Sequence, residues 1–288
     1  MFQKIFRAGG LAAIAALLLA SCNTYPTLAA RTAMLSGNAQ YYAPPPASLE
    51  APGRAPLVIL VSGCGGLVGL EGPKTVMSDY AAAANRAGAY AVVVDSFGSR
   101  GMDFETAVKT TCSGLRLRGN ARAGDILAAE VLAEKHWNID FSAVIVAGWS
   151  HGGWTVMELL SAGRDARYVG NFRVEKPAPR ALTPDAVALF YPYCGFLNTT
   201  AFRRWDFKGP LLLLTAGLDN RSPPEQCVSQ VEDARGGKEN IEAVNYAEVT
   251  HAFDESDQIP GSEFRYDPEA AARALFQRFV VDEVARLN

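Results

Sequence analysis

Three features on which many functional classes depend are scarce or missing in this chain. It has only three histidines among 288 residues, and its net charge of −3 at pH 7 gives no electrostatic case for binding nucleic acid. The apolar run at 11–20 is too short to span a bilayer as a permanent helix. No internal repeat is visible. What remains is an ordinary globular composition, sufficient for one large domain or two small ones.

The N-terminus is typical of an export signal. Lys4 and Arg7 precede the apolar run, and small residues close it. The run ends in Leu-Ala-Ser-Cys at 19–22, which resembles a bacterial lipobox; the resemblance implies cleavage before Cys22 and lipid attachment to this cysteine. Asn23 stands where an aspartate would favour the inner membrane, so the outer membrane is expected if the cell has two. A plain secretory signal, cleaved after an alanine, is the alternative.

The rest of the chain divides into a tether and a long folded domain. Pro-Pro-Pro at 44–46 and the weak periodicity around it indicate a tether rather than a folded unit. We therefore predict a signal peptide at 1–21, a tether at 22–54 and a folded domain at 55–288. The domain is expected outside the cytoplasm, on the periplasmic side and anchored to the membrane by lipid.

From residue 55 onward, apolar runs alternate with helical stretches. Runs that are apolar at nearly every position indicate strands covered on both faces, and hence a mostly parallel sheet between two helical layers. The polar, proline-bearing stretch at 164–183 is expected to be a surface insertion rather than a second domain. Strands are predicted at 57–61, 89–94, 143–147, 186–191, 211–216 and 243–249, and helices at 75–87, 120–136, 154–161, 223–235 and 268–287.

The stretch at 143–161 carries the strongest functional signal. A short β-branched run leads into Gly-Trp-Ser-His-Gly at 148–152 and then into a segment able to form a helix. This matches the G-x-S-x-G nucleophile elbow, in which a serine occupies a strained strand-to-helix turn and the glycines let neighbouring segments pass closely. Ser150 is therefore the predicted nucleophile. The alternative is a glycine-rich turn with an incidental serine.

A serine nucleophile needs a base, and an acid that orients the base. The side chain of His151 should point away from the serine, and His136 ends a helix at what should be the opposite sheet edge, so elimination leaves His251. Asp219 follows the strand at 211–216, on the same edge as the elbow. The resulting chain order of serine, aspartate and histidine is that of α/β-hydrolases. Two other carboxylates, in the histidine's own loop, compete for the acid role: Asp254 and Asp257.

Acyl transfer also needs two N–H donors for the developing oxyanion. In α/β-hydrolases one belongs to the residue after the nucleophile, here His151, and the other to the loop after an early strand. The glycine-rich loop at 62–67 fits the second role, with Cys64 as the predicted donor. A phosphate-binding loop is the rival interpretation, but no Lys-Ser/Thr follows and no G-x-G-x-x-G spacing is present.

Six segments spread over the domain form a larger pattern: 62–67, 95–101, 122–125, 148–153, 217–219 and 251–254. Together they resemble the dienelactone hydrolase family. The resemblance implies an α/β-hydrolase fold with a mostly parallel central sheet and helices on both faces. Two departures are visible. Ser150 stands where the founding enzymes have a cysteine, which favours ordinary esters over lactones, and Ser62-Gly63 replaces the His-Gly with which many relatives begin the oxyanion loop.

Export also bears on the four cysteines other than Cys22, because an oxidising compartment favours pairing. Cys194 and Cys227 should both follow neighbouring strands at one edge of the sheet. We therefore favour a bridge between these two, which leaves Cys64 to pair with Cys112. Sequence alone allows three connectivities, and free buried thiols are the alternative.

Two further side chains are candidate substrate contacts. Arg100 follows a strand at the predicted active-site edge and could bind a substrate carboxylate; the favoured alternative is a salt bridge or backbone contacts that fix its loop. Trp149 could wall an apolar pocket, although core packing is the default for aromatics in such places. Arg122 and Asp125, three positions apart on a helix, are expected to be structural.

The sequence thus predicts a lipid-anchored serine hydrolase that cleaves carboxylic esters without a cofactor or metal ion. Its predicted partners are a small-molecule ester and, through the anchor, the membrane, and no nucleic acid. A peptidase of the same fold usually needs an added propeller or lid domain, and this chain has no room for a propeller. A non-catalytic, lipid-anchored binding protein on the same fold is the other alternative.

Overall fold

The computed structural model describes residues 25–46, 55–256 and 261–287. The predicted signal peptide, Cys22 and Asp257 lie outside the described residues. The strands are β1 (Ala39–Tyr42), β2 (Leu57–Val61), β3 (Val68–Gly69), β4 (Gly72–Pro73), β5 (Tyr90–Val94), β6 (Val144–Trp149), β7 (Tyr168–Val169), β8 (Phe172–Arg173), β9 (Ala186–Phe190), β10 (Leu211–Ala216) and β11 (Ile241–Tyr246). The helices are α1 (Leu28–Leu35), α2 (Val76–Arg86), α3 (Phe104–Thr110), α4 (Gly119–Trp137), α5 (His151–Ala162), α6 (Pro224–Arg235) and α7 (Tyr266–Leu287).

The main sheet has seven strands in the order β1-β5-β2-β6-β9-β10-β11. Only the edge strand β1 is antiparallel to its neighbour, and the other pairings are parallel. Strands β2, β5, β6, β9 and β10 are buried at every position, because helices cover both of their faces. The mostly parallel α/β architecture predicted from the sequence is confirmed.

Alternate residues of the strands supply two separate cores. In β2, Leu57, Ile59 and Val61 pack on the face covered by α4, α5 and α6. Val58 and Leu60 point to the other face, where α2 and α7 lie. This alternation follows from the two-residue period of a strand. The alternation fixes the register of the sheet. The register in turn sets where each strand ends and where the loop after it begins.

The stretch predicted as a tether is partly folded into the domain. Thr27 caps α1 by accepting a hydrogen bond from the amide of Ala30 at 3.2 Å, and Arg31 forms an ion pair with Asp125 on α4. Strand β1 extends the sheet by pairing with β5. The tether prediction is therefore wrong for residues 28–42. A four-residue edge strand, half exposed and without apolar alternation, leaves little trace in hydrophobic periodicity.

The predicted surface insertion at 164–183 contains the short β7–β8 hairpin and a 3₁₀ turn at Arg180–Leu182, and it packs on the main domain. Glu130 of α4 holds this turn, because its carboxylate accepts hydrogen bonds from the amides of Arg180 at 2.8 Å and Ala181 at 2.6 Å. Burial raises the pKa of Glu130 to about 7, although both hydrogen bonds act to lower it.

Two disulfides connect Cys64 with Cys112 and Cys194 with Cys227. The favoured pairing is therefore confirmed, and Cα separations of 5.1 and 5.4 Å are ordinary for such bridges. Disulfides are rare in cytosolic proteins, so the two bridges indicate a location outside the cytoplasm. Among the described residues, no helix combines the length and the apolar character needed to cross a bilayer.

Candidate active site

Ser150 lies in the sharp turn between β6 and α5. Its φ of 51° and ψ of −114° fall in a region that non-glycine residues rarely adopt, so the backbone is strained there. The glycines of the elbow are sterically required. A Cβ on Gly152 would lie 2.0 Å from the carbonyl oxygen of Val61, and one on Gly148 would lie 2.5 Å from the carbonyl oxygen of Gly152. The predicted elbow can therefore form only with glycine at these two positions.

The side chains of Ser150, His251 and Asp219 meet at the carboxyl edge of the sheet. Ser150 Oγ is 2.7 Å from Nε2 of His251, and Nδ1 of His251 is 2.6 Å from Oδ2 of Asp219. The three residues are only 7%, 2% and 5% exposed, respectively. The turn after β10 carries the aspartate and the loop after β11 carries the histidine. The structure thus brings the three predicted residues together at one edge of the sheet.

Asp219 is oriented by the backbone that follows it. Its second carboxylate oxygen, Oδ1, accepts hydrogen bonds from the amides of Arg221 at 2.8 Å and Ser222 at 2.9 Å. These bonds leave Oδ2 to face the imidazole. The carboxylate is fully engaged, and its geometry is suited to holding His251 in one tautomer and orientation.

Asp254, the competing acid, points elsewhere. Its carboxylate accepts hydrogen bonds from Tyr80 at 2.8 Å, from the indole of Trp149 at 3.2 Å and from the hydroxyl of Tyr191. Burial raises its pKa to about 6, although the three donors act to lower it. Asp254 thus anchors the loop of His251 to the core beneath it. Since its acceptors are used there, Asp219 is the carboxylate that faces the imidazole.

The glycine-rich loop lies against the elbow. A Cβ on Gly63 would come 3.5 Å from Cβ of Ser150, so the loop backbone passes directly beside the serine. Cys64, the next residue, lines the same cavity as Ser150 and His251. His151 is the first residue of α5, and a first-turn amide has no acceptor within its own helix. Both predicted oxyanion donors therefore belong to segments that border the serine.

A cavity of about 220 Å³ opens over Ser150 and His251. The Cys64–Cys112 disulfide and the aromatic side chains of Trp154 and Tyr193 form part of its wall. Its lining comprises Cys64, Thr111, Cys112, Gly114, Ser150, His151, Trp154, Tyr193, Arg221 and His251.

The two candidate substrate contacts are not brought to this cavity. Arg100 forms a two-pronged ion pair with Asp125, at 2.9 and 3.0 Å, and donates to the carbonyl of Ser96 at 2.6 Å. This is the salt-bridge alternative. Trp149 is completely buried and stacks on Phe190, with 4.3 Å between ring centroids. The side chain before the nucleophile points into the core, because successive side chains of a strand alternate between faces.

The sequence did not reveal the contacts of several buried charged side chains near the site. Arg122, expected to be structural, is completely buried and donates hydrogen bonds to the carbonyl of Ser62 in the glycine-rich loop and to His151. Lys74 and Glu255 form a buried ion pair of 2.8 Å beneath the same loop. Charged residues are mostly exposed to solvent, so only the tertiary structure shows that these three are buried. No group of three or more His, Cys, Asp or Glu side chains in the described part of the chain is placed to hold a metal ion.

Solved structures with this fold include several hydrolases. An esterase from Thermogutta terrifontis with propionate bound is 14% identical, with a TM-score of 0.60 over 85% of this chain and 88% of that one. A dienelactone hydrolase-like promiscuous phosphotriesterase from metagenomic libraries is 16% identical, with a TM-score of 0.59 over 85% and 97%. An α/β serine hydrolase homologue from Coxiella burnetii is 16% identical, with a TM-score of 0.53 over 84% and 90%.

At such identities the structural likeness establishes the fold alone, and no curated protein matches the sequence significantly. The family model settles the relationship. The dienelactone hydrolase family model matches residues 39–280, which include the elbow, the histidine loop and even β1. The resemblance seen in the six sequence segments is thereby confirmed. This chain belongs to the dienelactone hydrolase family and has the fold of an α/β hydrolase.

Proposed function

We propose that the protein is a serine hydrolase that cleaves carboxylic esters, with Ser150 as nucleophile, His251 as base and Asp219 as the acid that orients the base. The observation that supports this most is the continuous chain of hydrogen bonds from Ser150 Oγ through His251 to Asp219, at 2.7 and 2.6 Å. The strained backbone of Ser150 supports it independently, because strain of this kind persists where function maintains it.

The reaction follows from these contacts. Ser150 Oγ attacks the ester carbonyl carbon while Nε2 of His251 takes the hydroxyl proton. Asp219 stabilises the imidazolium that forms, and the amides of Cys64 and His151 bind the oxyanion. His251 then protonates the departing alcohol, which leaves an acyl group on Ser150. A water molecule, deprotonated by the same imidazole, releases the acid and restores the serine. No cofactor or metal ion takes part.

We expect small esters to be the preferred substrates, because the cavity over the serine has a volume of only about 220 Å³. Drug-sized ligands occupy pockets of roughly 300–1,000 Å³. The side chains of Trp154 and Tyr193 and the Cys64–Cys112 disulfide border this space. We therefore expect hydrolysis rates to fall as the acyl chain of a p-nitrophenyl ester grows beyond a few carbons.

The alternatives make different demands on the site. A binding protein that only retains the fold has no use for a strained serine hydrogen-bonded to a buried histidine. A peptidase needs a long groove for an extended chain, whereas the cavity here has a volume of about 220 Å³ and is bordered by a disulfide and aromatic rings. Ester hydrolysis therefore fits the geometry best.

Ser150→Ala tests this proposal directly. We expect it to abolish labelling by a fluorophosphonate and to lower kcat for a p-nitrophenyl ester by about 10⁴–10⁶-fold, because the nucleophile is lost. Circular dichroism and the melting temperature should stay near those of the wild type. Thr155→Ala is the matched control, because it lies on the same helix and leaves the hydrogen bonds between Ser150, His251 and Asp219 intact. Undiminished ester turnover in Ser150→Ala, or labelling transferred to another serine, contradicts the proposal.

We also propose that the mature protein is anchored by lipid on Cys22 outside the cytoplasm. The carbonyl of Pro26 already accepts a hydrogen bond from the amide of Arg173, so the fold begins four positions after Cys22 (26 − 22). Such a segment reaches at most about 14 Å. An anchor at Cys22 therefore holds the domain close to the membrane, without the long tether that the sequence suggested.

Cys22→Ser tests the anchor. We expect the variant to move from the membrane fraction to the soluble fraction, or to accumulate as an unprocessed precursor, because no thiol remains to accept lipid. Mass spectrometry of the native N-terminus provides the second measurement. A mature chain that begins elsewhere than Cys22, and carries no lipid, contradicts this part of the proposal and leaves the ester hydrolase unaffected.

A further inference from the structure

Arg122 on α4 is completely buried, yet no direct ion pair explains its presence. Asp125, one turn further along the helix, bonds to Arg31 and Arg100 instead. Across the described residues, no carboxylate oxygen lies within 4.0 Å of the Arg122 guanidinium. Burial lowers the pKa of Arg122 to about 10, so the side chain is still charged at neutral pH. Asp125 and Asp95 stabilise the charge from beyond contact distance and Arg100 opposes them, so the direct contacts of this buried charge are hydrogen bonds.

The guanidinium connects the two segments that carry the proposed oxyanion donors. Nη2 donates to the carbonyl oxygen of Ser62 at 2.9 Å, and Nη1 donates to Nδ1 of His151 at 3.0 Å. A guanidinium can only donate, so Nδ1 must be the unprotonated nitrogen of a neutral imidazole. Burial and the Arg122 charge together hold the pKa of His151 well below its usual range, which agrees with a neutral ring. The ring of Phe97, 4.6 Å from the guanidinium carbon, packs against the group.

The separation of these two segments matters for catalysis. The Ser62 carbonyl belongs to the peptide immediately before the one that supplies the Cys64 amide. Gly63, between them, lets the loop pass beside Ser150 but has no side chain with which to hold it. The His151 amide begins α5 on the other side. Both amides bind the same oxygen only when their distance and angle are fixed before the reaction starts.

We propose that Arg122 is a positioning residue that holds the Cys64 and His151 amides at the separation one oxyanion requires. The inference rests on the proposed function and deepens it. In this chain the loop is held through the carbonyl of Ser62, whose own hydroxyl has no hydrogen-bond partner among the residues that the structure describes. The planar fork of an arginine fixes two acceptors at a set angle, which a lysine ammonium does not.

Arg122→Lys and Arg122→Met test the two parts of this role. Lysine keeps the positive charge and loses the fork, whereas methionine loses both. Arg235→Met is the matched control, because Arg235 is also buried, donates to the carbonyls of Lys208, Gly209 and Glu239, and packs on an aromatic ring. Arg235 lies near the amino ends of β10 and β11, away from Ser150.

We expect both Arg122 variants to lower kcat between about ten- and a thousand-fold while KM changes by less than about threefold, because the oxyanion forms only after attack. The inhibition constant of a boronic acid, whose Ser150 adduct places an oxygen in the oxyanion hole, should rise by the same factor. Binding of the amide of the same acyl group, which forms no adduct, should not change. Arg235→Met should lower the melting temperature comparably and keep the wild-type kcat and boronic acid affinity.

Wild-type kcat and boronic acid affinity in Arg122→Lys overturn the inference. The same holds if both quantities fall equally in Arg235→Met, since the loss then reports general loosening. If Arg122→Met does not fold, Arg122→Lys decides alone, because it keeps the charge and most of the volume. A wild-type enzyme without Ser150-dependent turnover overturns the proposed function and this inference together, whereas an active wild type beside a fully active Arg122→Lys overturns only the inference.

Discussion

At the two edges of the central sheet, the polar side chains differ in how exposed they are and in which groups they bond to. At the carboxyl edge, Ser150, His251 and Asp219 are nearly inaccessible, and their hydrogen bonds connect them to one another. At the amino edge, a much larger cavity of about 720 Å³ lies before β9 and β10. Exposed charged side chains line much of it, including Arg164, Arg180, Asp206, Lys208 and Arg286.

Non-glycine residues with positive φ occur near both edges, but they differ in type. Ser150 and Ala252, near the carboxyl edge, have φ values of 51° and 57°. Near the amino edge, Asn240 has a φ of 57°, but asparagine adopts this region more readily than serine or alanine. The groups at the amino edge serve structural ends instead, as when Arg235 bonds to three carbonyls or Glu130 to two amides. The comparison teaches that cavity volume alone does not select a candidate active site. The proposed site rests on burial and on a directed chain of hydrogen bonds.

The role proposed for the carboxyl edge is tested most sharply by substituting its two buried aspartates, Asp219 and Asp254, one at a time. Asp219→Asn should lower kcat by about 10³–10⁴-fold, because an amide cannot stabilise the imidazolium and favours the wrong tautomer. Asp254→Asn should lower it by less than about tenfold, because Asp254 bonds to neutral donors beneath the loop and not to the imidazole. Steady-state ester kinetics measure both.

The unfolding free energy of both variants provides the control for this pair. A large loss of kcat in Asp254→Asn with unchanged stability would transfer the acid role to Asp254. A small loss in Asp219→Asn would remove that role from Asp219.

The sequence predicted the carboxyl edge well because few residues could serve there. With three histidines in the chain, elimination identified His251, and the glycines around Ser150 leave the elbow little freedom. The favoured disulfide pairing followed from the same idea, that segments after parallel strands meet at one edge. Such inferences depend on chain order and sheet topology, which the apolar strands determine almost alone.

The errors share a cause as well. Strand β1 is short and half exposed, so its sequence lacks the alternation of apolar and polar residues that would have predicted a strand. Arg122 and Asp125 were expected to be structural, but their helical spacing did not reveal that Asp125 pairs with Arg31 and Arg100 from other parts of the chain. Which partner a buried charge selects depends on long-range geometry that local spacing does not encode.

The two disulfides sharpen the comparison within the carboxyl edge. They close loops of 48 and 33 residues, so the chain-entropy model assigns each about 4 kcal/mol of stability. Of the two, the Cys64–Cys112 disulfide carries a proposed oxyanion donor and lines the cavity. We expect Cys64→Ala/Cys112→Ala to lower kcat by about tenfold or more, because the loop beside Ser150 is released. Cys194→Ala/Cys227→Ala should lower stability alone.

Denaturant unfolding and ester kinetics on the two double variants test this. Removing both cysteines of a bridge at once avoids an unpaired thiol. Equal losses of kcat in the two variants would mean that the carboxyl edge responds as one unit, and that the Cys64 loop has no special part in the reaction.

The smallest effect is expected at the amino edge, where Glu130 holds the Arg180–Leu182 turn. Its pKa of about 7 in the folded protein lies above the usual 4.5, so the folded state binds the proton more tightly than the unfolded chain does. Ionisation therefore removes stability as pH rises between these values, and below the lower value the effect vanishes. Between about pH 6 and 7.5 the loss amounts to about 1 kcal/mol, which Glu130→Gln should abolish because an amide does not ionise. Comparing the two proteins' unfolding free energies at each pH cancels the other titrating groups. Parallel pH profiles would mean that the two amide hydrogen bonds outweigh burial and that Glu130 is already ionised near pH 5, whereas kcat should be unaffected by this substitution throughout.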